Sequence, residues 1–245
     1  MTEFTVKLAG VPVRIRAIHR QMKDFLREYL SEEEPEFSLE IFPEDLLRER
    51  EKDAQTRAAE GRAPFDWDDE YLETLAVYRK LAETLLDRNV LLFHGSAVAV
   101  DGQAYLFTAR SGTGKSTHTR LWREAFGQRA VMINDDKPLL RVEEDAVLVF
   151  GTPWNGKHGL STCGSAPLKA LCILSRAKEN RIEPVSLEDA FPVLFQQCYR
   201  PQGQEKTARV LELLERLGNR VRLYRLGCNM DPEAALVAYQ GMQEE

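Results

Sequence analysis

Cysteine is scarce in this chain. Cys163, Cys172, Cys198 and Cys228 stand far apart, and no Cys-x-x-Cys pair occurs. That spacing argues against a zinc site or thioredoxin-like chemistry and fits reduced thiols in a cytoplasmic protein. Long hydrophobic runs are missing too. None approaches the roughly 18 residues of a membrane-spanning helix, and the opening Met-Thr-Glu-Phe-Thr-Val-Lys has no secretory character, so no membrane partner is expected. There is no strongly basic run, and the net charge is −6. Tight non-specific nucleic-acid binding needs a basic face, so no nucleic-acid partner is expected either. Histidine is limited to His19, His94, His118 and His158, and no internal repeat or low-complexity segment stands out. What remains, 43% apolar and 29% charged over 245 residues, is the composition of one large globular domain or of one domain with an appendage.

Within that composition, Ala109-Arg-Ser-Gly-Thr-Gly-Lys115-Ser116 stands out. It fits the phosphate-binding loop pattern, with Ala in place of the usual first Gly. Gly112 and Gly114 allow backbone angles that a Cβ forbids, so successive N–H groups can point at one phosphate. Lys115 would reach the β/γ-phosphates and Ser116 would offer its hydroxyl to Mg²⁺. Residues Ser111 through Thr117 are therefore assigned to the nucleotide, Thr113 included. The β-prone run Gln103–Thr108 before the loop and the helix-compatible Ser116–Phe126 after it supply the strand–loop–helix frame that the motif requires. The plain alternative is a glycine-rich turn with an incidental lysine.

Elsewhere the pattern is coarser. Residues 4–17 alternate around Ala9-Gly10 and predict a hairpin. His19–Leu30 has helical spacing, and Ser38–Phe42 reads as a short strand. Residues 43–70 are charge-rich and read as a solvated helix followed by a flexible connection. Tyr71, Leu75, Tyr78, Ala82 and Leu85 form one helical stripe, expected to face a core. From Val90 the texture changes to strands. Val90–Phe93, Ser96–Val100 and Gln103–Thr108 follow closely, the last two separated by Asp101-Gly102, the strongest short hairpin signal. The strand entering the loop should thus be antiparallel to its predecessor, unlike the parallel core strands of most phosphate-loop enzymes. Beyond residue 176, 187–197 and 205–217 are helix-like, 221–226 alternates as a strand, and Asp231-Pro232 starts a helix.

Three segments join the loop chemically. Ala130-Val-Met-Ile-Asn-Asp135-Asp136 is an apolar run ending in acids, where a Mg²⁺-binding carboxylate belongs in nucleotide enzymes. Asp135 is assigned as the base that accepts a hydroxyl proton, and Asp136 as a metal ligand together with Ser116; an Asx turn is the alternative. His94 precedes the hairpin whose partner strand runs into the loop, so it can lie near the acids and the transferred phosphate, or be a structural histidine. The loop Gly151-Thr-Pro-Trp-Asn-Gly-Lys-His-Gly159 offers Trp154, Lys157 and His158 as contacts for an acceptor or a phosphate, or is an ordinary connector.

On these residues, His94-Gly95, the Asp101-Gly102 hairpin, the Ser-Gly-Thr-Gly-Lys-Ser loop and Asp135-Asp136, the chain resembles the catalytic domain of HPr kinase/phosphorylase over roughly residues 88–175. It is similar also to the wider group that shares the phosphoenolpyruvate carboxykinase nucleotide-binding fold. The resemblance implies an α/β (α+β) fold with a mixed, largely antiparallel sheet around the phosphate loop, as residues 88–245, beside a small N-terminal α+β region of 1–87 with charged helices. It implies that catalytic roles fall on His94, Lys115, Ser116, Asp135 and Asp136. There are departures: Thr117 stands where that family carries Glu after Lys-Ser, the family's arginine-glycine signature has no counterpart, with Ser165–Lys169 in the comparable region, and residues 1–85 do not look like its N-terminal domain. These argue against HPr itself as the acceptor.

The resulting expectation is a Mg²⁺-dependent kinase. It would use ATP or another nucleoside di- or triphosphate and phosphorylate a hydroxyl, of a serine in a peptide or protein or of free serine, with a homo-oligomer left open. A non-catalytic nucleotide sensor or scaffold is the first alternative. A carboxykinase-type lyase is disfavoured by the short chain and the lack of an evident second metal cluster.

Overall fold

In the computed structural model, which describes residues 1–243, the first turn is made by Ala9 and Gly10 at φ of 49° and 78°. Positive φ at both positions suits a tight turn between right-twisted strands. It joins β1 (Thr2–Leu8) to β2 (Val11–Ala17) in antiparallel register. A short helix α1 (Gln21–Phe25) follows, and then β3 (Phe37–Glu40), which pairs parallel with β2. Helices α2 (Pro43–Ala59) and α3 (Asp69–Thr84) complete a compact unit of residues Met1–Thr84.

Two expectations are corrected in this unit. His19–Leu30 is not one helix: α1 stops at Phe25, and a 3-10 turn follows over Arg27–Tyr29. Leu30 bridges Val6 and the N–H of Ser31 donates to the Thr5 carbonyl at 3.0 Å, so the chain is drawn back to β1 before a second α-turn can form. The buried stripe of α3 is also rotated. Ala82 and Leu85 are buried as expected, but Tyr71 is exposed and Leu75 and Tyr78 are half-buried, and Leu72, Ala76, Val77 and Leu81 carry the rest of the core. Polar pairing sets that rotation. Buried Arg79 donates to Asp45 at 2.8 Å and to Glu49, while buried Glu73 accepts the N–H of His19 at 3.0 Å. Buried charges must be paired, so these residues have to face inward.

The second unit runs from Leu85 onward. Its elements are β4 (Val90–Leu92), β5 (Ser96–Val100), β6 (Gln103–Thr108), α4 (Lys115–Phe126), β7 (Ala130–Asn134), β8 (Leu139–Val142) and β9 (Val147–Phe150). They continue as β10 (Ser165–Arg176), β11 (Arg181–Pro184), α5 (Leu187–Gln197), α6 (Gln204–Gly218), β12 (Arg222–Cys228) and α7 (Glu233–Gly241). The sheet order is β4-β8-β9-β10-β6-β5-β7, with β12 also on β10 and β11 on β12. It is mixed: β6–β10 and β10–β12 run parallel, and the other pairings are antiparallel. Asp101 and Gly102, at φ of 51° and 79°, make the expected hairpin turn between β5 and β6.

Helices cover both faces of the sheet. Ala97 and Ala99 of β5 join a cluster with Leu194 of α5 and Leu213 of α6, whereas Val98 and Val100 join Trp122 of α4 and Ala235 of α7. Every residue of β5 is buried, which is why Ala97–Val100 is an unbroken apolar run rather than an alternation. The α4 side is aromatic. Tyr105, Phe107 and Phe126 surround Trp122, with ring centroids 4.7–5.4 Å from it.

His118 sits within that aromatic face. The Trp122 indole N–H donates to its Nε2 at 3.0 Å, so the ring is neutral and carries its proton on Nδ1, which has no partner. Burial alone pushes its pKa down to about 4. An unfolded histidine binds its proton near pH 6.5, so folding stability should fall as pH drops from 6.5 towards 4. His118 accounts for up to about 3 kcal/mol of that loss. His118→Leu should flatten the dependence of the urea midpoint on pH across this window. An unchanged slope would mean that His118 is not held neutral.

Candidate functional site

β6 ends at Thr108, in parallel register with β10, and α4 begins at Lys115. The loop between them turns on Gly112 and Gly114, at φ of 78° and 124°, with open space where each Cβ would stand. These angles are closed to most L-residues. The loop therefore ends at the N-terminus of a 12-residue helix, where backbone N–H groups lack intrahelical partners.

A cleft of about 440 Å³ opens there. Ser111, Gly112 and residues 114–117 form one wall, and Asp135 and Asp136 at the end of β7 form the second. His94, between β4 and β5, and the 3-10 turn Gly156–His158 close it. Residues from four stretches of sequence thus meet in one cavity. Two expected contacts do not line it. Thr113 spends its N–H on the Arg110 carbonyl at 3.2 Å. Trp154 is not among the lining residues, and it is Gly156 that approaches Asp136: a Cβ on Gly156 would stand 3.1 Å from that of Asp136.

Asn134 fixes the acids. Its Oδ1 accepts the N–H groups of Asp136 at 2.9 Å and Lys137 at 2.6 Å, an Asx turn in which the Asn, not either Asp, is the turn-forming side chain. Its Nδ2 donates to the Thr152 carbonyl at 2.9 Å, and the Thr152 hydroxyl donates to the Lys137 carbonyl at 2.8 Å. The Asp pair and the 151–159 loop are thereby locked together. Asp135 is 5% exposed, and the Ser96 hydroxyl donates to its Oδ1 at 2.6 Å. Ser96 Oγ lies 2.9 Å from Thr119 Oγ1 on α4, which ties this carboxylate to the helix after the loop. Asp136 is more open, with Oδ1 3.5 Å from His94 Nε2 and 3.7 Å from Lys137 Nζ.

The charges are only partly hydrated. Lys115 is buried, and its Nζ donates to the Ala109 carbonyl at 3.1 Å. Burial lowers its pKa against the opposing pull of Asp136 and Asp135. Burial lowers Lys137 as well, and Asp136 again opposes. His94 is pushed down to about 4, by burial first and then by the charges of Lys137 and Lys115. Its Nδ1 lies 2.7 Å from Gln197 Oε1 at the end of α5, so the neutral ring donates from Nδ1 and turns Nε2 towards Asp136. Sequence reasoning missed Ser96, Thr119, Thr152, Lys137 and Gln197. Only Asn134 had a local signal, the Asx-turn alternative.

The close approach of chain at Gly151 makes the site sensitive to size. A Cβ there would lie 1.9 Å from the Thr162 carbonyl oxygen and 2.7 Å from that of Ile133, the residue before Asn134. Gly151→Ala should therefore cost about 2 kcal/mol or more in urea unfolding. A variant of wild-type stability would show that the β7 end and this loop are free to separate.

No protein-family model and no curated protein sequence matches this chain. Among solved structures it is similar to the HPr(Ser) kinase/phosphatase from Coxiella burnetii, at 9% identity, with 62% of this chain and 96% of that chain covered and a TM-score of 0.33. At that score the likeness is loose, and what the cleft can do rests on its own residues.

Proposed function

We propose that the protein is a Mg²⁺-dependent phosphotransferase that moves the terminal phosphate of a nucleotide, ATP in the simplest form, to a hydroxyl group. The acceptor is a serine of a peptide or protein, or free serine. The observation that carries this reading is the single cleft shared by the glycine loop before α4, Lys115, two adjacent carboxylates and His94. A helix N-terminus with a lysine favours a polyphosphate. Carboxylates beside it favour a hard cation and a proton acceptor.

The donor set suits Mg²⁺. The available side-chain ligands are oxygens, Asp136 and the Ser116 hydroxyl, and Mg²⁺ is usually held by one or two carboxylates with phosphate and water completing the shell. When bound, the ion would neutralise charge on the phosphates. Lys115 adds a second positive charge there. Asp135, one oxygen of which is oriented by Ser96, accepts the proton of the attacking hydroxyl. The acceptor oxygen bonds to the terminal phosphorus, the bridging P–O bond breaks and the nucleoside diphosphate leaves. Lys157 and His158 line the same cleft, where they can hold the acceptor or the phosphate in transit.

Several substitutions separate these roles. Lys115→Ala should weaken ATP binding in calorimetry by at least tenfold, the effect of about 1.4 kcal/mol. Asp135→Asn should keep nucleotide affinity but lose about 10²–10⁴ in phosphoryl transfer, and Asp136→Asn should raise the Mg²⁺ concentration needed for half-maximal rate. Normal turnover in both aspartate variants would overturn the roles given to Asp135 and Asp136, and a wild type that binds ATP but transfers no phosphate would be a nucleotide-binding scaffold. For the acceptor wall, Lys157→Ala should lower transfer at limiting acceptor and spare ATP binding measured without acceptor; an unchanged rate would make this turn a mere connector.

A further inference from the structure

We propose that Arg176 positions the loop before α4 for phosphate, by holding two of its carbonyl groups away from the cleft. This rests on the reading of that loop as the phosphate site. The sheet itself brings the residue there. β10 runs parallel to β6, with Ile173 paired to Thr108, the last residue of β6. Both strands therefore leave the sheet at the same end, and three residues further on β10 reaches Arg176. Its guanidinium donates from Nη2 to the Gly112 carbonyl at 2.6 Å and from Nε to the Thr113 carbonyl at 3.3 Å.

Those bonds set the direction of two peptide planes. In a trans peptide the N–H points opposite to the preceding C=O. With the Gly112 and Thr113 carbonyls on Arg176, the N–H groups of Thr113 and Gly114 face the other way. The first closes a turn onto the Arg110 carbonyl. The second belongs to a residue that lines the cleft. Carbonyl oxygens repel phosphate and N–H groups attract it, so the orientation of these planes decides whether the loop is a binding surface. Gly112 and Gly114 leave the backbone free to turn either way. A rigid fork of donors removes that freedom before any ligand arrives, and preorganisation of this kind is recovered as affinity. Lysine would keep the charge but lacks the planar fork that spans two carbonyls.

The test uses the full chain and sodium tripolyphosphate as a probe that carries phosphate and no base. Affinities are measured by calorimetry for the wild type, Arg176→Met and Arg176→Lys, with ATP as a second probe and thermal midpoints recorded alongside. Arg176→Met should bind tripolyphosphate roughly tenfold more weakly, with most of that loss also in Arg176→Lys, for two charge-assisted hydrogen bonds removed. Thermal midpoints should stay within about 2 °C, because Arg176 is exposed. Hydrogen exchange over 112–114 should quicken in both variants. Wild-type binding with no loss in either variant overturns the positioning role and leaves the phosphate reading intact. Full affinity in Arg176→Lys alone makes the effect one of charge and also overturns it. A fall of the midpoint by more than about 5 °C together with the affinity loss assigns Arg176 to the fold and overturns it too. A wild type that binds neither tripolyphosphate nor ATP overturns the phosphate reading and this inference together.

Discussion

The cleft depends on where β7 stops, and the Asn134 side chain decides that. β7 is the last strand of the sheet, paired along its length with β5, and its apolar run gives it no reason of its own to end at Asn134 rather than a residue later. Two N–H groups accepted by one side-chain oxygen convert the ladder into a turn, so that Asp135 and Asp136 leave the sheet at a fixed angle. The same amide reaches Thr152 and carries the next loop with it. In a buried setting each unmet donor or acceptor costs about 1–3 kcal/mol. Removing this one side chain strands several at once, so the turn has few alternatives of similar energy.

Electrostatics follow from that placement. Two carboxylates at the end of a buried strand would repel each other in a low dielectric, and the structure answers them unequally. Asp135 receives a neutral hydroxyl donor and stays almost buried, while Asp136 faces His94, with Lys137 nearby. Lys115 is turned onto a carbonyl of its own loop. Its ammonium is thus partly desolvated and held by a neutral acceptor, a partner that an anionic ligand displaces at little cost. The two depressed histidines differ in cause. His118 is neutral through burial in an aromatic core, and His94 through burial helped by neighbouring cations. The former belongs to the fold and the latter to the cleft.

Much of the fold was legible because its cues are local. Asp101-Gly102 demands a tight hairpin, the glycines at 112 and 114 demand a special backbone, and the apolar runs of β4 to β7 read as strands. The antiparallel entry of β6 followed from the first of these cues alone. What failed were inferences that apolar spacing alone should settle a helix. The first turns of the α3 stripe, Tyr71, Leu75 and Tyr78, were misread while Ala82 and Leu85 were not, because Glu73 and Arg79 look like surface residues, yet each is buried against a partner distant in sequence. Leu30 completes a helical pattern, but a bridge to Val6 overrides it.

The same physics divides the cleft into residues that could be read and residues that could not. Groups that would meet a ligand are constrained in type, since phosphate asks for N–H groups and lysine and a cation asks for carboxylates. Such types at fixed local spacing form a pattern. Groups that hold them are constrained only to be polar and within about 3 Å. Ser96 reaches Asp135 across 39 residues and Gln197 reaches His94 across 103, and many other side chains would satisfy the same bond. No spacing rule can therefore find them, yet the low dielectric that makes the ligand-facing groups effective also makes their unpaired atoms costly. A polar site at the rim of an apolar sheet thus needs a second set of polar partners drawn from wherever the topology brings the chain. These partners become visible only once strand register is known.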